Sequence, residues 1–362
     1  MLARAVVEAG VAPAASAGYA RRDGGRGVGA AGSLPEAPAS SATLFDLASV
    51  SKSIVACTAA RLASRRELDL AAPLGRLLPV ARGTRSEQVP LELLLAHRAG
   101  LEAHQALFAP LFAGRAVRLA QALQSAANAR RIECAGAPPA EGFAPVYSDM
   151  GYALLGAALE AASGLALDEC IRREVTEPLG LGLGSARQLR QRLPDFARRV
   201  APTEVVRARG GCVRGIVHDE NAWALSGHAC SGHAGLFGTI TDVLCLGQAL
   251  LEAAAGSSGW LSREALWPLV KPRQGGSLRA GFDGKSESGS SAGALSGPDT
   301  FGHLGFTGTS LWCDPGAGIA VALLTNRVHP TRENPRIRAA RPAVHDALFG
   351  AAKVVLPAPP DP

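Results

Sequence analysis

The pair Ser49 and Lys52 is the first place where residue types and spacing could do chemistry. The two residues lie three positions apart at the start of an apolar stretch, so on a helix they would share one face and could meet. A serine hydroxyl becomes nucleophilic when a base takes its proton, and a lysine desolvated against an apolar surface can act as that base. The pair predicts acyl transfer through serine. An N-cap serine followed by a solvated lysine is the ordinary alternative.

Two further residues favour the chemical interpretation. Tyr147 precedes a helix predicted over 151–163, so its phenol could project from a loop into a cleft and shuttle protons. The alternative is a half-buried tyrosine beside a helix cap. His303 lies in a glycine-rich segment, FGHLGFTGT (301–309), where a ligand could approach the backbone closely and a backbone N–H could stabilise an oxyanion. Lysine is also rare in this chain, because only four of its 37 basic residues are lysine.

Four segments in a fixed order extend this pattern. They are FDLASVSK (45–52), LLAHRAGL (94–101), YSDMGY (147–152) with Leu155 and Gly156, and GHLG (302–305). In this order, from about residue 5 to 350, the chain resembles the class C β-lactamase family, which includes serine D,D-peptidases, esterases and related hydrolases. The segments VHDENA (217–222) and GHAGLF (232–237) are similar to those of bacterial members related to penicillin-binding proteins.

The resemblance implies a role for each catalytic position. Ser49 would be the nucleophile, Lys52 its base partner, and Tyr147 the proton shuttle that also serves the leaving group. His303 would take the place of the lysine in the Lys-Thr-Gly motif of β-lactamases. The backbone N–H groups of Ser49 and Phe306 would form the oxyanion hole.

Three departures from the family pattern bear on the substrate. Asp149 stands where the family usually has an asparagine that orients the substrate amide, and a carboxylate can only accept hydrogen bonds and repels anions. His303 weakens the positive charge that holds a substrate carboxylate, and Leu304 replaces a threonine hydroxyl. With Gly305 and Phe306, Asp149 is assigned to substrate binding. The departures favour a less polar acyl donor, such as an ester.

The predicted fold is α/β (α+β), of the β-lactamase/transpeptidase type, with an antiparallel sheet flanked by helices and an all-helical lobe. The sequence supports this with a strand pair before residue 45, proline-interrupted helices over 67–200, a β-hairpin over 309–324 and a closing helix over 334–349. The Gly/Ser-rich stretch 275–297 is predicted to be a mobile surface loop. We expect one catalytic domain over 1–350, with 1–58 and 205–350 forming the α/β lobe, 59–204 the mainly helical lobe, and 351–362 a tail.

Composition excludes several classes of function. The chain has 362 residues, is 47% hydrophobic and carries a net charge of +6 spread along its length, which indicates no nucleic-acid partner. No apolar run predicts a membrane span.

The seven cysteines show no spacing that predicts disulfide pairing, and no signal peptide is recognisable. Both observations favour a cytoplasmic location, or a periplasmic one if the true start lies upstream. The histidines around 218–233 lack zinc-ligand spacing, so no metal is expected. The arginines between 327 and 341 are interpreted as a solvated face.

We therefore expect a serine hydrolase that forms an acyl-enzyme on Ser49 and cleaves carboxylic esters of small substrates, without a cofactor. A D,D-carboxypeptidase or β-lactamase-type amide hydrolase acting on cell-wall substrates is the first alternative. The second is a non-catalytic descendant that binds a ligand in the old cleft. The partner is a small-molecule ester or amide, and the sequence does not determine the oligomeric state.

Overall fold

The structure is a computed structural model that describes residues 1–354. The strands in this part of the chain are β1 (Ala14–Arg21), β2 (Arg26–Gly32), β3 (Phe45–Asp46), β4 (Gly184–Ser185), β5 (Val205–Val206), β6 (Gly211–Cys212), β7 (Leu236–Gly238), β8 (Asp283–Gly284), β9 (Phe301–Leu304), β10 (Ser310–Asp314) and β11 (Ile319–Thr325). Six of them form one antiparallel sheet in the order β2-β1-β11-β10-β9-β8. The sheet thus joins the two ends of the sequence, with Ala17 opposite Leu323.

The helices outnumber the strands and differ greatly in length. They are α1 (Leu2–Glu8), α2 (Val50–Ser64), α3 (Leu74–Leu77), α4 (Leu91–Leu95), α5 (Ala109–Phe112), α6 (Leu119–Asn128), α7 (Asp149–Ser163), α8 (Leu167–Ile171), α9 (Ala186–Arg192), α10 (Phe196–Arg199), α11 (Glu220–Ser226), α12 (Ile240–Ala255), α13 (Arg263–Val270) and α14 (Ile337–Lys353). Helix α12 packs on one face of the large sheet, and α1 and α14 pack on the other.

Side-chain alternation explains why both faces of the sheet are covered. Along β10, Leu311 and Cys313 belong to the core that includes α12, whereas Trp312 belongs to the core formed with α1 and α14. Successive side chains in a strand point to opposite faces. The apolar run of β11 is buried along its whole length, as expected for a strand that is covered on both sides.

Helix α2 lies at the junction between the sheet and the helical part of the molecule. Its residues are buried on all sides, and it packs against β9 and α13 as well as α7 and α8. Helix α7 has Ser148 as its N-cap and Gly164, at φ +68°, as its left-handed C-cap, an arrangement typical of helix ends. The starts of α2 and α7 therefore meet where the two parts of the molecule adjoin.

Several elements differ from the sequence-based expectation. The strand pair is preceded by helix α1, whose Ala3 and Val6 are buried against the sheet. Helix α14 continues to Lys353, so the predicted start of a tail at 351 is wrong, and the frayed end expected at 357–362 falls outside the described residues. The stretch 275–297 is not simply a surface loop, because it contributes edge strand β8 and buries Phe282 and Ala292.

Within residues 1–354, no single helix is long and apolar enough to cross a membrane. The consecutive helical segments Asp149–Ser163 and Leu167–Thr176 meet those criteria only when taken together, and the chain bends by 74° between them.

Candidate active site

The turn before α2 holds Ser49 in a constrained backbone. Ala48 adopts φ +48°, a left-handed conformation that costs an L-residue about 1–2 kcal/mol. The buried carboxylate of Asp46 accepts hydrogen bonds from the backbone N–H of Ala48 at 2.8 Å and of His218 at 2.7 Å. Burial nevertheless raises the pKa of Asp46 to about 6. Asp46 thus fixes the turn that presents Ser49.

The segment after β9 is fastened to the same turn. The hydroxyls of Thr307 and Thr309 donate to the backbone oxygens of Asp46 and Leu47, at 2.7 and 2.9 Å. A Cβ at Gly305 would lie 1.9 Å from Thr309 Oγ1 and 2.6 Å from the Leu47 oxygen. Only glycine permits this approach, which brings the backbone that follows β9 beside Ser49.

Lys52 lies at the centre of the site and is fully buried. Its Nζ donates to Ser49 Oγ at 2.8 Å and to the backbone oxygen of His233 at 3.1 Å. Asp149 Oδ1 lies 2.8 Å from the same nitrogen. The predicted meeting of Ser49 and Lys52 on one face of the helix is therefore present in the structure, with a carboxylate added to the pair.

The carboxylate reverses the expected electrostatics of Lys52. Burial alone would lower the pKa of Lys52, but the charge of Asp149 and the phenol of Tyr147 raise it well above its usual range. Burial alone would raise the pKa of Asp149, but Lys52 and His233 hold it below its usual range. The sequence-based expectation of a lysine neutralised by desolvation is wrong for this state of the site, because Lys52 is an ammonium paired with a carboxylate.

Tyr147 stands over the pair and is itself held by histidines. Lys52 Nζ lies 4.8 Å from the centre of the Tyr147 ring, and Tyr147 lines the same cleft as Ser49. Burial raises the pKa of Tyr147, with Lys52 opposing the shift, so the phenol is neutral. The His97 ring packs 4.6 Å from that of Tyr147, and its Nδ1 accepts the backbone N–H of Ser148 at 3.0 Å.

His303 lies behind the cleft instead of in its wall. Its ring centre is 6.0 Å from that of Tyr147, and its Nδ1 hydrogen-bonds the Leu304 oxygen at 2.8 Å. Burial and the charge of Lys52 lower its pKa to about 3, and the same two causes lower that of His97 to about 3. Both rings are neutral, and neither supplies the fixed positive charge that a substrate carboxylate needs.

The two residues predicted to form the oxyanion hole line the same cleft. Within residues 1–354 the N–H groups of Ser49 and Phe306 donate to no other group. Ser49, Gly305 and Phe306 line a cleft of about 800 Å³, which Tyr147 and Asp149 also border. An N–H pair of this kind can stabilise a tetrahedral oxyanion formed on Ser49.

A second pair, His233 and Asp219, supports Lys52 from the side. His233 Nε2 lies 2.8 Å from Asp219 Oδ1, and its Nδ1 lies 3.1 Å from Ser231 Oγ. Asp219 also caps α11 by accepting the Ala222 N–H. His233 therefore has a fixed orientation, and its backbone oxygen is available to Lys52. The motifs at 217–222 and 232–237 thus meet in space, a role that their residue types alone did not indicate.

The opposite wall of the cleft is rich in arginine, so the segment predicted to be a solvated face, in which Arg336 and Arg338 are exposed, also borders the cleft. Arg332 pairs with Glu204 and Glu220, but Arg327, Arg338 and Arg341 form no ion pair with any residue in 1–354. The arginines of this wall are Arg327, Arg332, Arg338 and Arg341. Sequence reasoning missed this wall because spacing alone does not show which side of the chain faces the cleft.

Arg327 and Arg341 also hold the backbone around Phe306. Arg327 lies 4.5 Å from the centre of the half-exposed Phe306 ring and donates to its backbone oxygen at 2.8 Å. Arg341 donates to the backbone oxygens of Gly305 and Thr309. Burial and the neighbouring charge of Arg327 lower the pKa of Arg341 to about 10, so it stays charged at neutral pH. Among the described residues, no group of three or more His, Cys, Asp or Glu side chains could hold a metal ion.

Comparison with known proteins places this geometry in a family. The beta-lactamase family model matches residues 2–345. The chain belongs to the beta-lactamase family. The predicted membership of a family of serine hydrolases is thus confirmed. A protein of Escherichia coli O157:H7, provisionally named D-alanyl-D-alanine carboxypeptidase, is 30% identical over 262 residues, which cover 67% of this chain and 58% of that protein. The chain spans about half the length of the curated relatives it matches.

Solved structures agree with the predicted fold class. EstCE1, described as a hydrolase with promiscuous acyltransferase activity, aligns with a TM-score of 0.69 at 23% identity, covering 95% of this chain and 96% of that one. Simvastatin synthase (LovD) from Aspergillus terreus aligns with a TM-score of 0.70 at 19% identity, covering 97% of both chains. These likenesses confirm the β-lactamase/transpeptidase-like fold.

Proposed function

We propose that the protein is a serine hydrolase that forms an acyl-enzyme on Ser49 and cleaves carboxylic esters of small substrates. The observation that carries the proposal is the contact between Ser49 Oγ and Lys52 Nζ at 2.8 Å. Ser49 and Phe306 line the cleft beside it, and their backbone N–H groups have no hydrogen-bond partner within residues 1–354. A nucleophile, a route for its proton and an oxyanion hole are the parts that acyl transfer requires.

The steps follow from the placement of these groups. Ser49 Oγ attacks the substrate carbonyl, and its proton leaves through the contact with Lys52, which as an ammonium must release another proton in the same step. The N–H groups of Ser49 and Phe306 receive the oxyanion. Tyr147, a neutral phenol whose ring centre lies 4.8 Å from Lys52 Nζ, carries a proton to the leaving-group oxygen. Water then attacks the acyl-enzyme by the same route in reverse and releases the acid.

Charge around Ser49 supports an ester over a D-alanyl peptide. Asp149 replaces an amide donor with a carboxylate, and the neutral His303 adds no positive charge. Esters also have better leaving groups than amides, so they need less help from a proton donor. We expect the enzyme to accept short acyl esters before it accepts amides.

A second candidate, a D,D-carboxypeptidase, is favoured by the arginine wall. Arg327 and Arg338 form no ion pair within residues 1–354 and line the cleft, so they offer positive charge to a substrate carboxylate. The curated relatives carry a carboxypeptidase name, although their length exceeds that of this chain. In this alternative the arginines replace the charge that His303 lacks.

Intact-protein mass spectrometry separates the two candidates. The enzyme and Ser49→Ala are mixed with p-nitrophenyl butyrate, with a labelled penicillin and with a diacetylated peptide ending in D-Ala-D-Ala. Ester turnover through a Ser49-dependent butyryl adduct, without release of D-alanine, supports the esterase. Release of D-alanine with a lasting penicilloyl adduct and no ester turnover supports the carboxypeptidase. Absence of any Ser49-dependent adduct contradicts both and favours a ligand-binding descendant.

A further inference from the structure

Asp149 has a position that substrate binding does not explain. Its carboxylate is largely withdrawn from solvent, with 22% of the side chain exposed, and its Oδ1 lies 2.8 Å from Lys52 Nζ. Lys52 in turn lies 2.8 Å from Ser49 Oγ. The three groups therefore form a continuous chain from the nucleophile to a carboxylate, with the lysine in the middle.

The surroundings of Lys52 leave it no means of accepting a proton by itself. Three oxygen atoms, from Ser49, Asp149 and the backbone of His233, lie within 3.1 Å of Nζ. Nζ donates hydrogen bonds to Ser49 and to the His233 oxygen and forms an ion pair with Asp149, and an ammonium has no lone pair with which to accept a proton. A proton can enter Nζ only if another leaves it, and Asp149 is the anionic oxygen among the three.

We propose that Asp149 is the proton acceptor of the acylation step, reached through Lys52, so that Ser49, Lys52 and Asp149 act as a relay. The inference rests on the proposed acyl-enzyme at Ser49. As the bond from Ser49 Oγ to the carbonyl carbon forms, the Ser49 proton moves to Lys52 Nζ. One Nζ proton moves to Asp149 in the same step, leaving the ammonium unchanged. The proton then returns through Lys52 and Tyr147 to the leaving-group oxygen as the acyl–oxygen bond breaks.

Other charged and titratable groups surround Lys52 and Asp149, and no variant used in a test should replace them. They are Tyr147, Tyr152, His97, His303, His233 and Asp219. The two histidines at 97 and 303 stay neutral above pH 4, and Asp219 is held ionised by His233 and Lys52. Above about pH 4, Asp149 is the remaining base in contact with Lys52.

The relay predicts the pH dependence of the first step. The test compares kcat/KM for p-nitrophenyl butyrate from pH 4 to 10 in the wild type and in Asp149→Asn. Product is read at the isosbestic wavelength of nitrophenol and nitrophenolate, with Ser49→Ala as the blank. In the wild type we expect activity to persist to the acid end of this range, because Lys52 and His233 hold the pKa of Asp149 below its usual range and the acid limb therefore lies lower still. Without the carboxylate, buried Lys52 must itself lose a proton, so the acid limb moves to roughly pH 7–8.

Two variants control for structural damage. Asp149→Glu retains a carboxylate and should keep the low acid limb even if its rate falls. Glu333→Gln removes an exposed carboxylate that also lines the cleft, and it should leave the profile unchanged. A loss of rate in Asp149→Asn with the wild-type acid limb would mean that Asp149 only shapes the site, and the relay would be wrong.

A second measurement needs no variant of the site. The chain has four lysines, Lys52, Lys271, Lys285 and Lys353, so lysine-labelled protein gives few NMR signals, assigned by replacing the last three in turn with arginine. The Lys52 signal should not titrate up to pH 10. Titration of Lys52 near neutral pH overturns the relay, even if the acyl-enzyme forms. Absence of a Ser49-dependent adduct in the wild type overturns the proposed function instead, whatever the Lys52 signal shows.

Discussion

The two walls of the cleft differ in whether their charged side chains are paired with opposite charges. On the Ser49 side, Lys52 is fully buried and lies against Asp149, so the charges of the chemical groups compensate each other. On the facing side, Arg327 and Arg338 line open space and form no ion pair within residues 1–354. Compensated buried charges are sensitive to pH and to loss of a partner, whereas uncompensated charges near solvent attract anions and are screened by salt. The first wall is therefore suited to chemistry and the second to recognition.

The largest effect should follow from breaking the compensated pair. Lys52→Met keeps an apolar chain of similar length but leaves Asp149 without its cation. We expect activity toward p-nitrophenyl butyrate to fall about a thousand-fold, and the free energy of unfolding in urea to fall by about 3 kcal/mol. The double variant with Asp149→Asn should regain most of that stability and none of the activity. If Lys52→Met were as stable as the wild type, the ion pair between Lys52 and Asp149 would not be what keeps the Asp149 charge tolerable in the folded protein.

The next prediction concerns the neutral histidine on the same wall. His97 has a folded-state pKa of about 3 because of burial and Lys52, against about 6.5 in the unfolded chain. The unfolded chain binds the extra proton first, so the stability that His97 contributes is complete above pH 6.5. It is lost as pH falls toward 3, a change on the order of a few kcal/mol. We expect urea stability to decline below pH 6.5.

The matched variant for this prediction is His97→Asn. Asparagine can accept the Ser148 N–H in place of Nδ1, and it tolerates the left-handed backbone of His97, at φ +58°. It does not titrate in this range, so the slope of stability against pH between 4 and 6.5 should become shallower. An unchanged slope would assign the acid sensitivity to other buried groups, such as His303 and His345.

A smaller effect is expected from the arginine wall. Arg338 is exposed, so Arg338→Ala should fold normally. We expect it to lower kcat/KM for the p-nitrophenyl monoester of succinate by about five-fold, while p-nitrophenyl butyrate, which lacks the carboxylate, is unaffected. High salt should remove most of the difference. Arg263→Ala, an exposed arginine outside the cleft lining, is the control. Equal loss for both esters would exclude a charge-specific role.

The contrast between the walls also separates what the sequence predicts from what it does not. Helix α2 and the contact between Ser49 and Lys52 depend on residues three positions apart, so local periodicity and spacing predict them. The bond from Lys52 to the His233 oxygen joins residues 181 positions apart, and the sign of the Lys52 pKa shift depends on Asp149 in a different helix. Spacing contains no information on either contact. The resemblance predicted which motifs meet, but not how their charges balance.

The same limit applies to the arginines and to helix α1. Arg327 and Arg338 follow the last strand in a segment whose composition resembles a solvated face, and only the fold shows that it borders the cleft. Helix α1 has seven residues and no side-chain cap, so it has no sequence signal at its start. It is held by burial of Ala3 and Val6 against the sheet, a tertiary contact.

The smallest effect tests whether backbone strain at the nucleophile turn contributes to the chemical wall. Ala48 at φ +48° costs about 1–2 kcal/mol relative to glycine in the same conformation, whereas glycine adds about 0.4–1 kcal/mol of unfolded-state entropy. The difference predicts that Ala48→Gly stabilises the protein by about 0.5 kcal/mol, measured by urea unfolding. Asp46 and the threonines at 307 and 309 hold the turn independently of the Ala48 side chain, so ester turnover should not change. A clear fall in turnover at unchanged or higher stability would mean that the restricted backbone of Ala48, and not those hydrogen bonds alone, keeps Ser49 in position.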